Sequence, residues 1–342
     1  MILAGDIGGT KTLLGLFSPD SERPSAIEIG EFVTLDYDGL EQMIREFIGA
    51  WKVEPRTLTA TCVGVAGAVT DQVARLTNVP WLVDAENVAG AVGLRRMLLI
   101  NDLEALAYAV PALQPDELAV LQQGIAMPGG NAAVIAAGTG LGIAMLHEVD
   151  GRWVPMASEG GHADFAARTE RELQLVRELT RVFGRVGVEH VISGPGLVNV
   201  YQFTHQSFGT GPMITPNTIA PSRLCAPVAG ATQATLARRI YESAQDKRCP
   251  HCVEAVDMFI SAYGSETGNL ALRAFATGGV YVGGGIAPKI LPALSSGLFL
   301  EAFRAKDPMA DLVATIPLSV ILNPDAGLMG AAVRARDLSL GR

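Results

Sequence analysis

Two glycine turns, each held between apolar stretches, most constrain what this chain can fold into. The first follows Ile2–Ala4 and reads Gly5-Asp6-Ile7-Gly8-Gly9-Thr10, with apolar Thr12–Phe17 behind it. The second follows Ala132–Ala137 and reads Gly138-Thr139-Gly140, with Ile143–Val149 behind it. Short apolar runs bounded by glycine read as buried strands. A third strand-forming stretch follows each pair, Glu28–Leu35 and Arg152–Met156, and helices come after. Thr10 and Thr139 occupy corresponding turns, so the chain carries a weak internal repeat. The breaker-rich Gln114–Pro115 and Pro128-Gly129-Gly130 region reads as the boundary between the halves. A length of 342 residues leaves room for two domains.

The other elements follow from periodicity. Thr59–Val65, Met97–Ile100, Thr277–Val282 and Leu318–Leu322 read as strands. Leu40, Met43, Ile44, Phe47 and Ile48 recur at helical spacing, and Leu103–Val110 is a helix that must stop by Pro111. Later helices are predicted over Thr169–Phe183, Gly196–Phe208, Gly230–Ala244, Val253–Phe275 and Gly327–Asp337.

Composition excludes several classes. Hydrophobic residues make up 49% and charged residues 18%, so the chain can bury a large core. The net charge of −9, with no Lys/Arg-rich run, speaks against nucleic-acid binding, which needs a positive field. The most apolar stretch, Ala132–Leu146, is short and broken by glycines, so no membrane span is expected. The opening residues lack a basic, then long apolar, leader pattern, and the four cysteines are too few for a disulfide framework. A cytoplasmic protein is expected.

Five motifs carry possible chemistry. Gly5–Thr12 nearly matches the phosphate loop G-x-x-x-x-G-K-[ST], but Thr10 replaces the second glycine and a strand-like stretch follows instead of a helix. The turn can be a tight hairpin alone, or a phosphate cradle of backbone N–H groups. The second turn at Gly138 favours the cradle, since two turns can clamp a polyphosphate. Asp6 is a candidate to hold Mg²⁺ through water. Asn101-Asp102 follows a strand and opens a helix. Asn101 can be a cap, with Glu104 completing a capping box, or Asp102 can be a catalytic carboxylate stabilised by the helix terminus. Glu159-Gly160-Gly161-His162 is poor for a metal and sensible for a sugar, whose hydroxyls pair with carboxylate and imidazole. Glu189-His190 precedes the Ser193-Gly194-Pro195-Gly196 turn, and Gly283-Gly284-Gly285 follows a strand, where backbone can lie against a planar ring. Cys249-Pro250-His251-Cys252 is a lone CxxC with no second cysteine pair at zinc-ribbon spacing, so zinc is not expected; two ordinary helix-start cysteines are the preferred reading and a redox-active pair the alternative. No G-x-S-x-G motif is present.

As a set, these residues resemble the bacterial glucokinase family, the group distinct from ROK kinases, within the actin-like ATPase superfamily of sugar kinases. The resemblance runs from about Ile2 to Gly330. It rests on GDIGGT (5–10), TNVPW (77–81), INDLEA (100–105), AAGTGLG (136–142), EGGHADF (159–165), EHVISGPGLVNVY (189–201), GGVYVGGGI (278–286) and PDAGLMGA (324–331). Lys11 looks more like the ROK group, whereas Ala163–Leu179 lacks that group's cysteine-rich zinc motif.

The resemblance implies a two-domain α/β actin-like ATPase (ribonuclease H-like) fold with an interdomain cleft. Residues 1–112 plus 325–342 would form the small domain and 113–324 the large one. It implies ATP-dependent phosphorylation of D-glucose to glucose 6-phosphate, with Asp102 as general base. Asn101, Asp102, Glu159, His162 and Glu189 would bind glucose. Gly5, Asp6, Ile7, Gly8, Gly9, Thr10, Gly138 and Thr139 would hold the phosphates of ATP, and Gly283 and Gly284 its adenosine. A cytoplasmic homodimer using ATP and Mg²⁺ is implied. A kinase for another hexose or amino sugar, or a non-catalytic sugar sensor of the same fold, are the alternatives.

Overall fold

The computed structural model describes residues 1–76, 79–205 and 224–342. The first half is built as its glycine hairpin predicts. Strand β1 (Ile2–Ile7) pairs antiparallel with β2 (Lys11–Ser18), and the Gly8 N–H closes the turn on the Lys11 carbonyl at 2.9 Å. Strand β3 (Ser25–Val33) pairs with β2, and Lys11 Nζ lies 2.7 Å from Glu31 on that strand. Lys11 is therefore engaged in a surface ion pair. Helix α1 (Leu40–Ala50) buries the five residues whose spacing announced it. Strand β4 (Thr61–Val65) then runs parallel to β1. A separate small sheet follows, made of β5 (Val69–Thr70), β6 (Val73–Arg75) and β7 (Leu82–Asp84). Helix α2 (Ala85–Val92) leads to β8 (Met97–Asn101), parallel to β4, and to α3 (Asp102–Ala109).

The second half repeats the plan. After β9 (Leu118–Gln122) come β10 (Ala132–Ala137), β11 (Leu141–Val149) and β12 (Arg152–Ser158). Helices α4 (Glu170–Phe183), α5 (Gly194–Thr204), α6 (Gln233–Gln245) and α7 (Pro250–Arg273) follow. Strand β13 (Gly279–Gly283) is parallel to β10. Helices α8 (Leu291–Leu294), α9 (Leu298–Arg304) and α10 (Ala310–Thr315) lead to β14 (Leu318–Ile321), and α11 (Ala326–Ser339) closes the series. The two large sheets run β3-β2-β1-β4-β8 and β12-β11-β10-β13-β14-β9. Their first five positions match strand for strand in chain order, so the weak sequence repeat is an architectural one, with β9 added at an edge.

The differences from expectation are local. The helix predicted from Val253 starts earlier, at Pro250, because proline is well placed in a first turn. The strand predicted from Thr59 starts at Thr61, and the helix predicted from Gly230 starts at Gln233. Thr77 and Asn78 of the TNVPW motif, and the predicted helix end at Phe208, lie outside the described residues.

Contacts divide the chain into two units. One holds Met1–Leu118, Ala144–Ala157 and Leu322–Arg342; the other holds Ala119–Ile143 and Ser158–Ile321. In the first unit, strand alternation sorts the core into two clusters. Leu3 and Ile7 join Leu14, Val63 and the apolar residues of α1 and α2. Ile2 and Ala4 point the other way and meet Leu328, Ala331, Ala332 and Ala335 of α11. Small residues let α11 lie close: a Cβ built on Gly330 would sit 1.7 Å from the Ala105 carbonyl oxygen of α3. Arg23 forks onto Glu117 at 2.6 and 2.8 Å and donates to the Ala112 carbonyl at 2.6 Å. Glu117 also accepts from the Gln114 N–H and from Asn323 Nδ2, tying three chain segments together.

In the second unit, the long helix α7 is the core element. Its Tyr263 is fully buried, packs edge-on to Phe299, and its hydroxyl accepts the Ala137 N–H at 3.3 Å. Among the described residues, no helix is long and apolar enough to cross a membrane.

Candidate active site

In the first unit, three parallel strands end level with one another. Ile7 of β1 is in register with Val65 of β4, and Val65 with Asn101 of β8. Ligands of open α/β sheets collect at such carboxyl ends. Asp6 lies one residue before the end of β1, and Asp102 is the first residue of α3. Asp325, the N-cap of α11, is close enough to act on Asp6 as well. Burial pushes the Asp6 carboxyl up to about 6, and the negative charges of Asp102 and Asp325 push in the same direction, against Lys11. Asp102 and Asp325 thus surround Asp6 with negative charge at the end of β1.

Asn101 does the capping its position suggested. Its Oδ1 accepts the Leu103 N–H at 2.9 Å and its Nδ2 donates to the Gly67 carbonyl at 3.0 Å. Asp102 Oδ1 also accepts the Leu103 N–H at 2.9 Å, which fixes the carboxylate at the helix terminus. Glu104 is raised by burial, while a hydrogen bond from the Asn101 backbone N–H opposes the rise. The reciprocal half of the capping box is thus served by Leu103, one position earlier than the pattern expects.

In the second unit, the two predicted glycine runs meet. Ala136 of β10 is in register with Gly283 of β13, so Gly138-Thr139 and Gly284-Gly285 leave adjacent strands side by side. Gly284 has φ +82°, and a Cβ there would lie 2.6 Å from the Ala137 carbonyl oxygen. The Gly138 carbonyl accepts the Gly194 N–H at 2.8 Å, which brings the start of α5 to the same turn. Ser193 caps that helix, its Oγ accepting the Gly196 N–H at 2.9 Å. A cavity of about 680 Å³ opens here, within the range of small-ligand sites. Thr139, Gly285 and Ile286 line it, with Leu197 of α5 and Phe259 of α7. Arg238 and Tyr241 of α6 and Lys289 also line it. Sequence reasoning missed these; the only signal was the amphipathic pattern of α6, which does not say what its face covers.

Glu189 and the loop that carries Glu159 and His162 meet at Leu141. Glu189 Oε2 accepts the Leu141 N–H at 2.8 Å. Gly161 lies so near the Leu141 carbonyl oxygen that a Cβ would come within 1.9 Å, so only glycine fits. That contact seats the Glu159–His162 loop beside Glu189. Glu159 Oε2 and His162 Nε2 are 3.8 Å apart, and both side chains are mostly exposed, at 67% and 61%. The Arg185 guanidinium pins the loop by donating to the His162 carbonyl at 2.9 Å. His190 stacks on Phe183 with ring centroids 4.3 Å apart, and burial holds its imidazole below the usual range.

Two sheets of one strand order, with glycine turns at strand ends in both and acids at the carboxyl ends of the first, define the class: a sugar kinase of the actin-like ATPase type. A glucokinase from an Antarctic psychrotroph superposes with a TM-score of 0.83 at 27% identity, over 98% of each chain. A ROK family glucokinase from Streptomyces griseus in complex with glucose and AMPPNP shares the fold, with a TM-score of 0.61 at 20% identity over 98% of this chain and 99% of that one. The family follows from sequence. The Glucokinase family model matches residues 3–338, and the glucokinase of Nostoc punctiforme is 37% identical over 99% of each chain. The chain belongs to the glucokinase family.

Proposed function

We propose that this protein transfers the γ-phosphoryl group of ATP to the 6-hydroxyl of D-glucose, with Asp102 as general base. Family membership supports the substrate pair, and the Streptomyces griseus complex supports a nucleotide donor. The residue assignment rests on the place of Asp102, at a parallel-strand end and a helix N-terminus beside Asp6. A carboxylate held at a helix N-terminus and a strand end can take a hydroxyl proton as the phosphoryl group moves in line.

Asn101, Glu159, His162 and Glu189 are assigned to glucose hydroxyls, which need both donors and acceptors. Gly5, Asp6, Ile7, Gly8, Gly9 and Thr10, with Gly138 and Thr139, are assigned to the phosphates of ATP. Gly283 and Gly284, beside the 680 Å³ cavity, are assigned to adenosine. The negative charge that Asp102 and Asp325 bring to bear on Asp6 fits a divalent cation there, and Asp6 would hold Mg²⁺ through water. When bound, Mg²⁺ neutralises charge on the terminal phosphates. The family resemblance also supports a small domain of residues 1–112 plus 325–342, a large domain of 113–324, and a cytoplasmic homodimer.

A coupled assay with Mg²⁺–ATP and a panel of hexoses, on wild type and Asp102→Ala, tests the reading. Glucose 6-phosphate is expected from wild type, with kcat lower by about 10²–10⁴-fold in the variant. Equal turnover by the variant would overturn the base assignment. Preference for another sugar, or no turnover by a folded protein that binds ATP, would overturn the substrate assignment or the activity.

A further inference from the structure

We infer that His205, Cys225, Cys249 and Cys252 form a structural zinc site in the second unit. One ligand atom from each lies within 4.8 Å of the other three. Cys225 Sγ and Cys252 Sγ are 3.7 Å apart, and His205 Nε2 is 3.4 Å from Cys249 Sγ and 3.9 Å from Cys252 Sγ. A tetrahedral zinc ion with bonds of about 2.3 Å to sulfur and 2.0–2.1 Å to nitrogen requires edges of about 3.8 Å between sulfurs and 3.6 Å between sulfur and nitrogen. The sulfur–sulfur edge of 3.7 Å and the sulfur–nitrogen edges of 3.4 and 3.9 Å lie close to these values, and the remaining edges stay within 4.8 Å, so binding needs shifts of about 1 Å or less.

The surroundings prepare the ligands. His205 Nδ1 lies 2.9 Å from the Tyr201 carbonyl, which can only accept. Nδ1 therefore carries the proton, and the Nε2 lone pair faces the thiols. The Tyr201 hydroxyl accepts the Cys225 N–H at 2.9 Å, and its ring lies on His205 with centroids 3.9 Å apart. Thr204 Oγ1 donates to the His251 carbonyl at 2.9 Å, fixing the first turn of α7 between the two paired cysteines. Three thiolates and one imidazole suit zinc rather than magnesium or calcium. With four protein ligands no coordination position is left open, which marks the site as structural.

A disulfide explains the cluster less well. Any one S–S bond would leave the third thiol and the oriented imidazole without a role, and Cys225 and Cys252 stand well beyond the ~2.05 Å of a bond. The ion would clamp the end of α5, the segment at Cys225 and the start of α7 into one knot. On binding, each thiol releases its proton to solvent and donates an electron pair to the metal, with no change of oxidation state.

The test is metal content by inductively coupled plasma mass spectrometry on the full chain, purified without chelator and dialysed. About one zinc per chain is expected in wild type, falling at least fivefold in Cys249→Ser and Cys225→Ser. A second measurement does not depend on how the variants fold. Wild-type protein stripped with a strong chelator is titrated with Co²⁺, and intense tetrahedral d–d bands with thiolate charge transfer are expected, bleached by one equivalent of Zn²⁺. Wild type that takes up neither metal, zinc retained in both variants, iron in place of zinc, or a Cys225–Cys252 disulfide in the intact mass would each overturn the site.

Discussion

The Glu189 carboxylate accepts the backbone N–H of Leu141 at 2.8 Å, so one side chain both anchors a hairpin and stands among the candidate sugar ligands. The two roles separate by substitution. Glu189→Gln keeps an acceptor for Leu141 and should unfold within about 0.5 kcal/mol of wild type. Glu189→Ala orphans the N–H and should cost about 1–2 kcal/mol. Both should raise the KM for glucose, because the charged acceptor is lost. Thermal unfolding and glucose saturation curves on the same two variants check the split. An unchanged KM in both would remove Glu189 from the sugar site.

Asp6 predicts an unusual pH dependence in the protein without nucleotide or metal. Its carboxyl titrates near 6 in the fold against an ordinary value of 3.8, so the folded chain holds this proton where the unfolded chain has released it. Between about pH 4 and 6 this group makes stability fall as pH rises, and above 6 the ionised carboxylate costs up to about 3 kcal/mol. Asp6→Asn should therefore have a higher Tm than wild type at pH 7, and the gap should close towards pH 4. Turnover with Mg²⁺–ATP should drop in the same variant. A lower Tm at pH 7 would contradict the electrostatic account.

Glu117 behaves in the opposite sense. The Arg23 fork holds its carboxyl down at about 2, aided by donors from Gln114 and Asn323. Its stabilisation is full above the ordinary carboxylate value and is lost as pH falls through about 4.5 towards 2. Glu117→Gln should lose about 1–3 kcal/mol at neutral pH and flatten the acid limb of stability. Urea melts at pH 7, 4 and 3 on both proteins would show this. Parallel acid limbs would mean that the pair contributes nothing on folding.

Two helical glycines should respond in opposite directions. Gly330→Ala puts a methyl group 1.7 Å from the Ala105 carbonyl, so α11 must leave α3, at a cost of about 3 kcal/mol or more. Gly90 in α2 has open space around its would-be Cβ, and Gly90→Ala should gain up to about 1 kcal/mol. Chemical denaturation of both variants is sufficient. Similar effects at the two sites would mean that the α3–α11 contact yields easily.

What was legible in the sequence was local. The glycine hairpins, the Asn101 cap and the helix of Leu40–Ala50 each announce themselves within about ten residues, through turn chemistry or a period of 2 or 3.6. Strands of two or three residues such as β5, β6 and β7 have no room to show a period, and β9 hides in a stretch that reads as a boundary. Leu141 as the post between Gly161 and Glu189 was not legible, because a backbone N–H and carbonyl leave no compositional trace. The cysteine cluster failed for a related reason. A search for paired CxxC spacing cannot see a histidine and a cysteine contributed singly from His205 and Cys225.

The packing of α11 on β1 has a consequence for synthesis. The ribosome delivers β1 long before α11, and Ile2 and Ala4 complete their cluster only when Leu328, Ala331, Ala332 and Ala335 arrive. Until then that apolar sheet face lacks the cover of α11, and exposed apolar surface is what holding chaperones recognise. Translation halted before Ala326 leaves a chain that already has both glycine turns and, among the described residues, all fourteen strands, but lacks the helix that packs on β1.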